Sequence, residues 1–243
     1  SSGTFVGWCW KCAGGTTSTN NEGNHTCTLQ ANAKAGFSIM TLANYTSASG
    51  VTIGHGLGKA PSMYIHKSRA SSGNWHVYHS GRGATKALLL NNTNAEATAI
   101  GYWANTEPTA DVLSLGNTFA GTFNGVVYAW AEVEGYSKFG TYIGNANADG
   151  PFIYTGFRPS MLFLKNATAA NGWFTFDKLR EGFNPPNDTL SWQDSTAEDN
   201  TYKLDILSNG FKIRGSNNAH NQSGQTFIYG AWADVPFKYN NTF

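Results

Sequence analysis

The chain has 243 residues, a net charge of +1 and only 13% charged residues. This length suits one or two domains that each bury a core, and the sequence lacks the basic stripe that is typical of nucleic-acid-binding proteins. We therefore expect no nucleic-acid partner. No stretch approaches the roughly 20 apolar residues of a membrane-spanning helix, so we expect no membrane insertion.

The composition predicts an all-β protein. Aromatic residues make up 14% of the chain and glycine occurs 28 times; the former favour strands and the latter tight turns. Segments that alternate apolar and polar residues follow one another at intervals of roughly 10 to 14 residues, which is the spacing of an antiparallel sandwich or jelly roll. The predicted strands cover residues 37–42, 51–53, 62–66, 75–79, 87–90, 140–143, 152–154, 161–164, 173–176, 202–207 and 211–213.

One aromatic strand pattern occurs three times along the chain. Its last tryptophan is Trp10, Trp130 and Trp232 in the three copies, which are 120 and then 102 residues apart. A Pro-Ser-Met block also recurs, at residues 61–63 and 159–161. Because several ordered blocks recur in one phase, we expect an internal duplication.

The repeat divides the chain into three parts. Residues 1–35 carry the first aromatic strand and a linker arm rich in Thr, Asn and Gly, and residues 36–137 and 138–243 each make one module. The predicted fold is two tandem antiparallel β-sandwich modules, jelly-roll or lectin-like, related by the duplication. The first aromatic strand has no module before it, which leaves two interpretations: a preceding repeat was lost or cut away, or the arm completes the sheet of another unit.

The repeated tryptophans are predicted to lie in the core. Side chains alternate along a strand, so Val127 and Ala129 share one face while Tyr128 and Trp130 share the other. Small residues on the first face suggest close packing against another layer. A tryptophan at a place common to all copies usually anchors a core, and we assign it to the fold rather than to a ligand.

Three cysteines give no clear chemical signal. Cys9 and Cys12 have the spacing of a redox motif, but such motifs lie at a strand-to-helix turn, whereas here a strand leads into glycines. We expect Cys9 to be a small buried residue. Cys12 and Cys27 are either free thiols or a local bridge. A zinc site formed by the three cysteines would need a fourth ligand, for which His25 is the only near candidate, so this site is disfavoured.

Carboxylates that could catalyse a reaction are scarce. Glu132 and Glu134 alternate on one strand, like the paired carboxylates of sandwich glycosidases. The second module has Asp234 and Pro236 at these places, so a surface role is favoured. We therefore predict no catalytic residues.

Metal sites are disfavoured as well. A cluster of His55, His66 and His76 has no counterpart in the second module, which favours a structural or surface role. Residues 145–150 mimic the start of a calcium loop but have Gly156 where the twelfth-position glutamate belongs. We expect no metal and no cofactor.

Two tryptophans outside the repeat pattern are candidates for glycan binding. Trp103 and Trp192 lie in polar loop surroundings, and a flat aromatic face in a polar loop is how carbohydrate-binding sandwiches stack sugar rings. Arg82 and Arg180 follow the paired strands of the two modules and could bond sugar hydroxyls. The alternative is that these four residues pack locally or contact another subunit.

Several segments of the chain resemble a family of virion structural proteins from tailed phages of marine bacteria and cyanobacteria, often described as tail-fibre or lectin/glucanase-like proteins. The segments are residues 131–142, 149–159, 207–212 and 236–239, together with the opening Trp8-Cys9-Trp10-Lys11. The resemblance covers essentially the whole chain. In similar proteins a further domain, often laminin-G-like, precedes the opening strand, so we expect this chain to begin where another domain ends.

The resemblance implies a location in the virion. The expected partners are other virion proteins, further copies of this chain in a homo-oligomer and a host-surface polysaccharide. We hypothesise a non-enzymatic part of a tail fibre or other appendage that attaches to host glycans. The alternatives are a purely architectural capsid or tail decoration protein and, less favoured, a polysaccharide-degrading enzyme.

Overall fold

The computed structural model describes residues 5–45, 50–98, 100–119, 123–180, 184–186 and 188–234. Within these ranges the chain forms antiparallel sheets with very little helix, so the all-β prediction is confirmed. The two α-helices are α1 (Ile100–Trp103) and α2 (Asn218–Asn221), and a 3₁₀ turn covers Asn117–Phe119. No helix in the described ranges has the length and apolar character to cross a membrane. Residues 236–239, which contribute to the family resemblance, lie outside these ranges.

The described residues of the first half of the chain form ten strands. They are β1 (Ser18–Asn20), β2 (Cys27–Asn32), β3 (Phe37–Tyr45), β4 (Val51–Gly54), β5 (Met63–Ser68), β6 (His76–His79), β7 (Lys86–Leu89), β8 (Ala97–Thr98), β9 (Val112–Leu115) and β10 (Phe123–Trp130). Eight of them form the first large sheet, in the order β1-β2-β3-β10-β5-β6-β7-β8. The other two, β4 and β9, pair with each other as a small sheet.

In the second half, eight strands occur within the described ranges. They are β11 (Ser137–Ile143), β12 (Phe152–Tyr154), β13 (Met161–Asn166), β14 (Trp173–Asp177), β15 (Leu190–Ser191), β16 (Leu204–Leu207), β17 (Gly210–Ile213) and β18 (Thr226–Trp232). The second large sheet has the order β11-β18-β13-β14-β15, and β12-β17-β16 forms the second small sheet.

Three apolar cores separate four layers of sheet. A first core lies between the first large sheet and its small sheet, and a second core lies between the corresponding pair in the second half. A central core fills the space between the two large sheets and contains Phe37, Trp130, Phe163 and Trp232. Gly230 in β18 permits this packing, because a Cβ there would overlap the Phe163 ring. Each large sheet is therefore covered by apolar packing on both faces.

The predicted alternation along β10 is confirmed. Val127 and Ala129 are fully buried in the first core, while Tyr128 and Trp130 belong to the central core on the opposite face. The prediction that the repeated tryptophans anchor a core is confirmed for Trp130 and Trp232, whereas Trp10 is half-buried and packs against them. The Trp10 ring lies 5.6 Å from the Trp130 ring and 5.2 Å from the Trp232 ring, measured between centroids.

The prediction of an aromatic strand at residues 5–10 is wrong. These residues form no strand in the structure. The other two copies, β10 and β18, each pair with a strand on both sides, so neither leaves an edge where a third copy could pair. The strands of the arm are instead β1 and β2, which extend the first large sheet beyond β3.

The predicted burial of Cys9 is wrong for the same reason. Cys9 is exposed. The prediction assumed that Cys9 lies in a strand of a sheet, whereas its segment pairs with no strand and leaves it facing solvent. Cys12 is half-buried, Cys27 is buried, and all three cysteines are free thiols. The Cys27 thiol donates to the Gly54 carbonyl at 3.2 Å, and Cys12 lies 3.8 Å from the Gln30 carbonyl.

Candidate ligand-binding cleft

An apolar cleft of about 560 Å³ opens where the two large sheets and the N-terminal arm meet. We call it the aromatic cleft. Its only non-aromatic lining residues are Ile39, Ile65, Leu90 and Ser191. The aromatic lining residues are Trp8, Trp10, Phe37, Trp75, Tyr128, Trp130 and Trp192.

Strand pairing places one wall of the aromatic cleft. Tyr128 pairs with Ile39 on one side and with Ile65 on the other, so the three side chains form a row across the first large sheet. Trp75, immediately before β6, stacks on Tyr128 with ring centroids 6.3 Å apart and an angle of 17° between the planes. Both rings are half-buried, which leaves part of their surface open to a ligand.

Trp192 forms the opposite wall, at the end of β15. Its ring is stacked on that of Trp173, with an interplanar angle of 5°. Trp173 is fully buried, and its indole nitrogen donates to the Leu89 carbonyl at 2.9 Å. Its ring is therefore fixed and holds the stacked Trp192 ring in place. Trp192 is half-buried and therefore presents a fixed aromatic surface to the cleft.

Three of the lining tryptophans have unsatisfied donors. The indole nitrogens of Trp8, Trp130 and Trp192 are buried and have no hydrogen-bond partner among the described residues. A buried polar group without a partner costs about 1–3 kcal/mol, and native proteins contain few of them.

A second depression, the polar groove, lies farther along the first large sheet. It has a volume of about 530 Å³, and its lining includes His25, Thr28, Thr41, Arg69 and Asn124. His25 Nε2 hydrogen-bonds to the Ala43 carbonyl at 3.0 Å, and the Arg69 backbone N–H donates to the Asn124 carbonyl at 2.7 Å. The hydroxyl, amide and guanidinium groups suit a polar ligand.

The structure separates the four predicted glycan-binding residues. Only Trp192 lines the aromatic cleft. The prediction for Trp103 is wrong: it is fully buried in the first core, where its ring packs on Tyr64 and its indole donates to the Lys86 carbonyl at 2.9 Å. The short helix α1 turns Trp103 inward, so it cannot stack on a sugar.

The two arginines lie in ion pairs rather than in the aromatic cleft. Arg82 donates two hydrogen bonds of 2.6 Å to Glu96. Arg180 donates to Asp177 and to Glu198, each at 2.6 Å. Neither arginine lines the aromatic cleft or the polar groove.

Sequence reasoning missed three half-buried cleft residues, Trp8, Trp75 and Tyr128. The alternation along β10 placed Tyr128 opposite the small side chains, and that was a usable signal. Trp75 matches Trp173 in the repeat, but the structure leaves Trp75 half-buried while it buries Trp173 completely. Only the relative position of the two large sheets explains this difference.

The carboxylates considered for catalysis lie elsewhere. Glu132 pairs with Lys138 at 3.0 Å and accepts a hydrogen bond from the Phe139 backbone at 2.9 Å, which fixes the start of β11. Among the described residues, no Asp or Glu lines the aromatic cleft or the polar groove. Glycoside hydrolysis normally requires two carboxyl groups beside the scissile bond.

The histidines form no three-ligand metal group. His66 and His76 pair across β5 and β6 with ring centroids 6.4 Å apart, and burial lowers the pKa of the first to about 3 and of the second to about 4. His55 is held separately, accepting from the Leu57 backbone and bonding the Thr109 carbonyl. No group of three or more His, Cys, Asp or Glu side chains suited to a metal occurs in the described part of the chain.

The calcium-like segment is a turn. The side-chain oxygens of Asn145 and Asn147 each accept a hydrogen bond of 2.9 Å from the backbone two residues further on. Asp149 pairs with Lys212 at 2.9 Å. These hydrogen bonds within residues 145–149 form the turn that the sequence favours.

The fold and the cleft define an all-β protein with a preformed aromatic cleft beside a polar groove. The family model described as "Domain of unknown function (DUF7483)" matches residues 1–236, so the chain belongs to this family. Comparisons with curated proteins and with solved structures found no match.

Proposed function

We propose that the protein is a non-enzymatic structural component of a phage virion, in a tail fibre or another appendage. Its aromatic cleft attaches the particle to a polysaccharide on the host surface. The family resemblance given above supports the assignment to a virion, with other virion proteins and further copies of the chain as partners. The cleft supports the attachment role.

The observation that carries the attachment role is the lining of the cleft. Sugar rings present C–H groups that pack on aromatic faces, and Trp75, Tyr128 and Trp192 offer half-buried faces of this kind. These faces favour a ligand with flat, carbon-faced rings.

The proposal includes two modules related by duplication, residues 36–137 and 138–243. The strand orders support it, because β3-β10-β5-β6-β7 in one half corresponds place by place to β11-β18-β13-β14-β15 in the other. Lys67 and Lys165, which are 98 residues apart like the Pro-Ser-Met blocks, both donate to the carbonyl of the next residue. In this interpretation residues 1–35 form an arm on the first module.

An architectural role is the alternative that the same apolar lining favours, because an apolar patch of this kind also suits burial under a neighbouring subunit. It predicts that loss of Trp192 weakens assembly and leaves glycan retention unchanged. A polysaccharide-degrading role predicts release of reducing ends that depends on Glu132 or Glu134.

Replacing Trp192 or Trp75 by alanine tests the attachment role. We expect each change to lower the affinity for a host-surface polysaccharide at least about tenfold, or ~1.4 kcal/mol, because a stacking surface is lost. Affinity electrophoresis in gels that contain the polysaccharide measures this. Tyr154→Ala is the matched control, since Tyr154 is an aromatic residue 64% exposed on β12 and outside the cleft.

Two results would contradict the attachment role. In one, no host-surface polysaccharide retards the wild-type protein. In the other, the Trp192 and Trp75 variants are retarded as strongly as the Tyr154 control.

A further inference from the structure

We propose that the bound polysaccharide is acidic and extends from the aromatic cleft into the polar groove, where Arg69 binds its sulfate or carboxylate groups. This inference rests on the proposed function and specifies the class of glycan.

The aromatic cleft and one wall of the polar groove share a face of the first large sheet. The row formed by Ile39, Tyr128 and Ile65 lines the aromatic cleft. The next row on the same face contains Thr28, Thr41, Val126 and Lys67, because side chains two residues apart share a face. Successive rows are about 7 Å apart along the strands.

Thr28 and Thr41 of this second row line the polar groove. The cleft and the groove are therefore adjacent along the same strands. A linear polymer can occupy both while it lies on one surface.

Arg69 gives the polar groove its charge. It is exposed, and none of the ion pairs between described residues includes it, whereas Arg82 and Arg180 are both paired with carboxylates. A guanidinium group binds sulfate or carboxylate through two parallel hydrogen bonds, which is the geometry that such a ligand matches best. An arginine without a carboxylate partner in a groove lined by hydroxyls and amides is suited to an anionic sugar.

Lys67 adds positive charge between the two depressions. Its ammonium group donates to the carbonyls of Ser68 and Ser71, at 2.9 and 3.1 Å, and these neutral acceptors leave its charge uncompensated. No Asp or Glu among the described residues lines either depression. The surface from Tyr128 to Arg69 thus presents cations to a ligand and no carboxylate.

One carboxylate, that of Glu22, lies near the rim of the polar groove. Its removal tests whether the ligand is negatively charged. Glu22 lies two residues before Asn24, which lines the groove, so their Cα atoms are at most about 7.6 Å apart. The Glu22 charge therefore reaches the groove. The negative charge of Glu22 repels an acidic ligand, so removal of this charge should strengthen binding.

The experiment compares polysaccharides in pairs that differ only in acidic groups. The pairs are dextran sulfate with dextran, heparin with chemically desulfated and carboxyl-reduced heparin, and the host-surface polysaccharide before and after the same treatments. Affinity electrophoresis of the wild type, Arg69→Ala, Glu22→Gln and the control Lys59→Ala measures binding. Lys59 is an exposed cation that lines neither depression.

We expect Arg69→Ala to lower the affinity for acidic polymers about tenfold, with little change for the neutral forms, since a charge-assisted hydrogen bond contributes about 1.5–3 kcal/mol. Glu22→Gln should raise the affinity for acidic polymers, and Lys59→Ala should match the wild type. Thermal unfolding of each variant shows that the fold is retained.

The failures of the two proposals are distinguishable. If removal of acidic groups leaves retention unchanged and Trp192→Ala still weakens it, the acidic class is wrong and glycan attachment stands. If Arg69→Ala has no more effect than Lys59→Ala, the site assigned to the anion is wrong. If no polymer in any pair is retained, both proposals are contradicted.

Discussion

Lys165 is a cation buried between the two halves of the chain. It is fully buried, and its ammonium group donates to the carbonyls of Asn166 and Asn171 at 2.8 Å and to that of Thr93 at 3.3 Å. Thr93 belongs to the first half, so one side chain ties the two halves together. Burial lowers the pKa of Lys165 to about 8, because a desolvated charge is unfavourable even when it is hydrogen-bonded.

Lys165→Met tests this buried charge through its pH dependence. The folded pKa lies below the ordinary value of 10.5, so between about 8 and 10.5 the unfolded chain holds a proton that the folded protein has released. The stability associated with Lys165 is therefore full above 10.5 and is lost as the pH falls towards 8. As the pH increases through this range, we expect the free energy of unfolding of the wild type to rise relative to that of the variant, by up to about 1.4 kcal/mol per pH unit.

Urea unfolding of both proteins at several pH values from about 7 to 10 provides the measurement. The difference between the two proteins isolates Lys165 from the tyrosines that titrate near the same range. Parallel curves would show that the ammonium group is not desolvated as described.

At the scale of strands, the sequence predicted correctly those strands whose own residues show a clear apolar pattern. Strand β12 is found at the predicted residues, and β14 extends the prediction only by Asp177. By contrast β1 and β2 were missed, because their Thr- and Asn-rich residues become strands only by pairing with β3.

The candidate cleft was predictable only in part, for a related physical reason. Trp192 could be identified because it departs from the repeat, but the cleft joins residues from 8 to 192 that meet only when the two large sheets pack together. The error at residues 5–10 has the same origin. A local aromatic pattern does not reveal that β10 and β18 already have neighbours on both sides.

Residues 5–10 of the N-terminal arm pack on the protein through their side chains rather than through sheet pairing. The Trp10 ring lies edge-on to Trp130 and Trp232, one from each half. We expect Trp10→Ala to lower the free energy of unfolding by about 1–3 kcal/mol, less than for a fully buried tryptophan because Trp10 is half-buried. Phe5→Ala is the control, since Phe5 is 92% exposed and should change stability by less than about 0.5 kcal/mol.

Urea unfolding of the wild type and the two arm variants measures the effect. Equal stability of Trp10→Ala and Phe5→Ala would mean that the arm contributes nothing to the central core.

At the scale of the whole molecule, the central core makes the two halves interdependent. It contains Trp130 from the first half and Phe163, Trp173 and Trp232 from the second, all at most 6% exposed. His79 lies at the same boundary, where its Nε2 donates to the Tyr229 carbonyl at 3.1 Å. Separation of the halves would expose these aromatic side chains and break this bond, so we expect them to unfold together.

Acid unfolding tests this coupling. Burial lowers the pKa of His66 to about 3 and that of His76, His79 and His220 to about 4, below the ordinary value of 6.5. Because the folded pKa is depressed, the stability contributed by these histidines is full above about 6.5 and is lost as the pH falls towards 4. We expect both halves to unfold in one transition in that window, with the same midpoint by tryptophan fluorescence and far-UV circular dichroism.

His79→Gln assigns part of this effect to the boundary between the halves, because glutamine has no proton to gain and its amide can still donate a hydrogen bond. The variant should show a shallower loss of stability between about pH 6.5 and 4 than the wild type, by up to ~1.4 kcal/mol per pH unit. Two separate transitions in the wild type would contradict the coupling, since each half would then be stable without the aromatic side chains that the other supplies to the central core.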